Sequence, residues 1–83
     1  MRAMLKIRPK WENDVAKCKR NGWTVGTRLI GDEGYGPTVI ELTAIGREQI
    51  LAIEISHKGK LSEDARESNW TLTERDWQKV EEA

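Results

Sequence analysis

Six of the seven glycines, Gly22, Gly31, Gly34, Gly36, Gly46 and Gly59, fall between short runs of apolar and β-branched residues, and only Gly26 lies inside one. Glycine reaches positive φ without steric penalty, so chains use it where they turn. Runs broken at this spacing predict a mainly β chain, an antiparallel meander of five strands curling into a small barrel.

From Trp23 onward the apolar period is two. Trp23, Val25, Thr27 and Leu29 share a face of a first strand, and Ile40, Leu42 and Ala44 share one of a second. Leu51, Ile53 and Ile55 do so in a third strand, Trp70 and Leu72 in a fourth. Ile50 and Ala52 interrupt the third alternation, which predicts a central strand covered on both faces. Ile45-Gly46-Arg47-Glu48 supplies a tight hairpin, residues 31–37 a longer loop with Tyr35 at its tip, and residues 57–68 a second, polar loop in which Ser62 either caps one turn through Ala65 or stays mobile. Thr73, three residues ahead of Asp76, predicts one capped helical turn before Trp77 and Val80 return to the sheet.

Ahead of the strands the period is nearer four. Trp11, Val15 and Cys18 form one apolar stripe, Pro9 suits the first helical position, and Asn21-Gly22 is a stop. Glu12 and Asp14 stand near the positive end of the helix dipole, Lys17, Lys19 and Arg20 near the negative end. These features predict one amphipathic helix of about eleven residues, too short to persist alone in water, with Trp11 and Val15 docked on the third strand. Residues 3–8 alternate weakly, as a short edge strand or arm would. The expected organisation is one domain, with arm and helix over residues 1–22 packed on a barrel over residues 23–83.

The order of strand, long loop, strand, tight turn, strand, loop, strand, single turn and short strand, ending in Trp70-Thr71-Leu72-Thr73 and Asp76-Trp77, resembles an SH3-like small barrel. The resemblance is to a fold and covers about 60 residues. It implies that Tyr35, Trp70 and Trp77 line a groove for a partner, although the Ala-Leu-Tyr-Asp-Tyr type of loop that marks proline-peptide binders is missing. More loosely, the compact, tryptophan-rich chain is similar to small phage and prophage proteins, some of which occlude host enzymes.

The chemistry within the chain is sparse. Cys18 and His57, the only thiol and the only imidazole, stand on separate elements, so no nucleophile and base are paired by spacing. Asp32-Glu33 and Glu63-Asp64 lack the ligand spacing of a calcium loop, and Gly31, Gly34 and Gly36 lack the Lys-Ser/Thr of a phosphate loop. The expectation is a non-enzyme with no cofactor and no metal. Ile50-Leu51-Ala52-Ile53 is the longest wholly apolar run and the opening residues have no apolar core, which predicts neither a membrane span nor a secretory leader. A single cysteine fits a reduced, cytoplasmic setting.

Net charge is zero, but residues 1–28 carry +6 and the rest −6. Such polarity favours either internal neutralisation or two faces of opposite sign offered to partners. The expected function is therefore a non-catalytic module binding another protein through Tyr35, Trp77 and Trp70 with Glu33, Glu63 and Asp64. One form is a phage-type inhibitor whose acidic face, with Glu41, Glu54 and Glu67, imitates the phosphates that a host nucleic-acid enzyme binds. A first alternative is a nucleic-acid binder using Lys10, Lys17, Lys19, Arg20 and Arg28 with Trp23 as a stacking platform. A second is a structural subunit or homo-oligomer joined through open strand edges.

Overall fold

The computed structural model describes residues 13–80. Helix α1 (Asp14–Asn21) is followed by strands β1 (Arg28–Asp32), β2 (Pro37–Ile45), β3 (Ile50–His57), β4 (Lys60–Leu61), β5 (Ser68–Asn69) and β6 (Gln78–Lys79). Among the described residues the chain is thus mainly β, with one short helix and one antiparallel sheet.

The sheet runs β4-β3-β2-β1-β6, while β5 pairs with β3 beside β4. Its two flanking strands, β4 and β6, are not paired with each other, so the sheet stays open. The chain re-enters the sheet after Trp77, as expected, and its last strand pairs with the first, Ile30 opposite Gln78.

α1 begins later than the sequence suggests. Asn13, in extended backbone, caps it by accepting from the Ala16 amide at 2.8 Å, so the eight-residue helix starts after Pro9 and Glu12 rather than at them. Gly22 ends it with a left-handed φ of 74°, and its amide and that of Trp23 return to Lys19 and Cys18 carbonyls. Pro9, Lys10, Trp11 and the arm over residues 3–8 lie outside the described residues.

Val15 and Cys18 on the helix join Trp23, Leu29, Ile40, Leu42, Ile50, Ala52, Leu72 and Trp77 in one core. A strap over residues 70–77, carrying Leu72 and Trp77, crosses this side of the sheet, and the helix is clamped to it. Asp14 Oδ1 accepts from the Leu72 amide at 2.7 Å, and the Lys17 ammonium donates to the carbonyls of Leu72 (2.6 Å) and Arg75 (3.1 Å). The strap forms almost no ladder of its own, so these helix side chains satisfy backbone groups that a strand neighbour would otherwise meet.

Several expectations are corrected by the backbone. Residues 23–27 are not strand: the Thr27 amide turns back to the Thr24 carbonyl, Gly26 takes a φ of 96°, and Val25 is left 60% exposed. In β3 the inward residues are Ile50 and Ala52, while Leu51, Ile53 and Ile55 are only partly buried. The cause is a bulge between Leu42 and Ala44: one extra residue in β2 turns Ile45 rather than Ala44 toward the core, and Ile50, its hairpin partner, follows.

Residues 57–68 are not one loop. Lys58 and Gly59 both take positive φ, 53° and 83°, the geometry of a two-residue hairpin turn, and β4 follows at once. Residues 73–75 bend without forming a helical turn, and the loop ahead of β2 shrinks to residues 33–36.

Candidate functional site

The meander brings three connections to one end of the sheet: residues 33–36, the Lys58-Gly59 turn and residues 73–76. The first is stiffened by its own leading acid. Asp32 Oδ1 accepts from the amides of Gly34 (2.7 Å) and Gly36 (3.1 Å), and those glycines hold φ values of 108° and 113°. These two amide bonds, helped by Arg75 and His57, hold the Asp32 carboxyl below the usual aspartate range.

Neighbours pack against the same loop. A Cβ built at Gly36 would come within 2.5 Å of the Lys58 side chain, and one at Gly34 within 4.0 Å of the Arg75 guanidinium. Beneath, the Thr38 hydroxyl donates to the Gly36 carbonyl (3.1 Å), so it accepts from a protonated His57 Nδ1 at 2.8 Å. The stiffened loop lifts Tyr35 into solvent, 79% exposed, with Glu33 half-buried beside it.

The other aromatic residues expected at this surface lie elsewhere. Trp77 is 3% exposed and covers Gly31: a Cβ there would come within 2.5 Å of the indole. Only a glycine in β1 leaves room for that ring, which is why Trp77 is core rather than contact surface. Trp70 is partly buried, edge-on to Trp77 with centroids 5.9 Å apart, and neither indole N–H has a partner. Glu63 and Asp64 are exposed on the segment that follows β4, where Ser62 bonds Glu54 instead of capping a helical turn.

The basic set is also divided. Lys17 is buried and its ammonium is held by the strap carbonyls, so it is withdrawn from any phosphate; Lys19 and Arg20 are exposed. Arg28 pairs with Glu41 at 2.9 Å, beside a cleft of about 540 Å³ that Thr24, Thr27 and Lys79 also line. Trp23 is buried in the core, which removes the stacking platform. Lys10 lies outside the described residues.

Catalytic and metal chemistry find little to work with among the described residues. Burial, with Asp14 nearby, pushes the Cys18 thiol up to about 11, which keeps it protonated and inert at neutral pH. No group of three His, Cys, Asp or Glu side chains converges there, and no described helix is long and apolar enough to cross a membrane. Sequence reasoning missed Asp32 and Thr38 as loop anchors; an acid two residues ahead of a glycine was the available signal.

A small, mainly β domain with a stiffened aromatic loop at one sheet end is the class these features define. The chain belongs to the family described as a domain of unknown function (DUF7241), whose model matches residues 12–82. No curated protein and no solved structure matches it.

Proposed function

We propose that this protein is a non-catalytic binding module that engages another protein through the sheet end carrying Tyr35. The observation that supports this reading is a large aromatic side chain held 79% in solvent by a loop whose backbone is fixed before any partner arrives. A ring presented on a preset loop loses little conformational freedom on binding, which is how tyrosine comes to anchor interfaces. Glu33, Arg75 and Lys58 around it supply charge of both signs, suited to selecting a partner rather than to holding a polyanion.

An SH3-like arrangement belongs to the same reading. The last strand beside the first, with the core on one side, is the disposition from which a meander curls toward a barrel. A phage-type inhibitor with a phosphate-like acidic face is a narrower form with weaker support, since Glu41 is paired with Arg28 and Glu54 with Ser62. The nucleic-acid reading is weakened by the burial of Lys17 and Trp23.

The test is affinity capture from a nuclease-treated lysate of the source cell with wild type, Tyr35→Ala and Leu61→Ala, each checked for an unchanged melting curve. The expected result is a nuclease-resistant protein partner retained by Leu61→Ala and lost with Tyr35→Ala. Equal capture by all three, or capture abolished by nuclease, would remove this reading.

A further inference from the structure

The sheet face turned away from the helix carries a pattern of its own. Strand register places Ile30 opposite Val39 and Arg28 opposite Glu41, and by alternation these four residues lie on the outer face, the reverse of Leu29 and Ile40. On that face Ile53 flanks Glu41 from β3, and Val80, whose amide donates to the Arg28 carbonyl, flanks Arg28 from the other side. Among the described residues the face is open: Ile30 is 40% exposed, and the Arg28 and Glu41 side chains 46% and 33%.

An ion pair set among apolar side chains restricts what can cover it. Arg28 and Glu41 already neutralise each other. The surface that fits this face best therefore adds an anion over Arg28 and a cation over Glu41, one strand spacing apart, with apolar groups on both flanks, and thereby offsets the cost of desolvating the pair. We infer that the occupant is a second copy of this chain, packed sheet against sheet about a two-fold axis that runs parallel to the strands between β1 and β2.

The symmetry supplies what the face requires. A two-fold in that position lays each outer residue of β1 over the β2 residue that it pairs with inside its own chain. Arg28 then faces Glu41 of the second copy, Ile30 faces Val39 of the second copy, and Ile53 faces Val80 of the second copy. The four charges close into one alternating ring bordered by apolar contacts. Leu61, although 78% exposed, stands on β4 beyond the overlap, because the sheet has one strand fewer on the β6 side. The patch is small beside a permanent interface, so the dimer forms with rising concentration.

Sedimentation velocity on the full chain over a wide concentration range tests this, with circular dichroism confirming that each variant is folded. Wild type shifts from monomer to dimer, Ile30→Glu stays monomeric, and Arg28→Glu weakens association at least about tenfold through like charge. The double variant Arg28→Glu with Glu41→Arg restores the dimer, since the exchanged pair is complementary both within and between chains. Should Ile30→Glu fail to fold, the single and exchanged charge variants decide the matter. Leu61→Asp and Tyr35→Ala associate as wild type does. A monomer at every concentration, a dimer indifferent to Ile30→Glu or Arg28→Glu, no recovery in the exchanged variant, or loss of association in Leu61→Asp or Tyr35→Ala overturns the inference. Outcomes at Arg28, Ile30, Glu41 and Leu61 do not bear on the partner-binding role of the loop, which rests on Tyr35 and is tested by capture.

Discussion

Tyr35 lies within the glycine-rich stretch from Gly31 to Gly36 and Trp77 packs onto it from the strap, yet the tyrosine is 79% exposed and the tryptophan 3%. Gly31 and Gly34 make that difference by opposite means. At Gly31 the missing side chain is used as space, with the indole lying where a Cβ would be. At Gly34 it is used as conformational freedom: the φ of 108° turns the loop so that the next ring points away from the sheet. One short glycine-rich segment thus seats a core aromatic from the strap and projects a contact aromatic, so a variant at either glycine reports on only one of the two roles.

Removing the seated ring is the most severe way to break the comparison. Trp77→Ala empties the core beside Trp70 and Gly31 and is expected to lower stability by about 3–5 kcal/mol, most of what a domain this small has. Chemical denaturation checks this; a loss under about 1 kcal/mol would mean that the indole is not part of the core. Gly31→Ala approaches the same contact from the other side and is expected to lower stability by about 1–3 kcal/mol by overpacking. Because the conflict is with the ring, Gly31→Ala combined with Trp77→Leu should lose less than the sum of the single variants, and strict additivity would show that the two do not touch.

Lys17 extends the comparison to the strap that carries Trp77. Its ammonium bonds the carbonyls of Leu72 and Arg75, so Lys17→Met keeps the apolar stem but strips two acceptors of their donor. The expected loss is about 1–3 kcal/mol, read by thermal melting, with any effect on Tyr35-dependent capture following only from unfolding. A variant as stable as wild type would mean that water replaces the ammonium at those carbonyls.

How far the sequence announces these roles depends on range. Local signals carry through: Asn21-Gly22 ends the helix, Gly46 opens the hairpin into β3, and Tyr35 stands at a loop tip. Signals that depend on a distant neighbour do not. The inward set of β3 reverses because of one extra residue in β2, an event with no mark in residues 50–55 themselves. Trp77 reads as surface because its seat is the absence of a side chain at Gly31, and Lys17 reads as a solvated cation because its acceptors lie 55 and 58 positions away. The sheet end around Asp32 was half legible: the loop and its tyrosine follow from composition, but His57 and Arg75 reach it only through the fold.

The smallest expected effect concerns the projecting side alone. The Asp32 carboxyl is held below its usual range first by the Gly34 and Gly36 amides, with Arg75 and His57 assisting, so its charged form is favoured by the folded loop. A carboxyl whose folded value is depressed contributes order above its unfolded value and gives it up as pH falls through the folded one. Acid should therefore release the loop without unfolding the sheet, because the core under Trp77 contains no part of this bond network. In an amide-resolved titration, the Gly34 and Gly36 signals should move together, with a midpoint more acidic than that of free aspartate, while Ile40 and Leu42 stay fixed. Asp32→Asn should abolish that midpoint and leave the melting temperature nearly unchanged. If instead the Ile40 and Leu42 signals moved at the same pH, the loop and the core would be one cooperative unit, and the separation between a seated and a projecting aromatic would have no thermodynamic content.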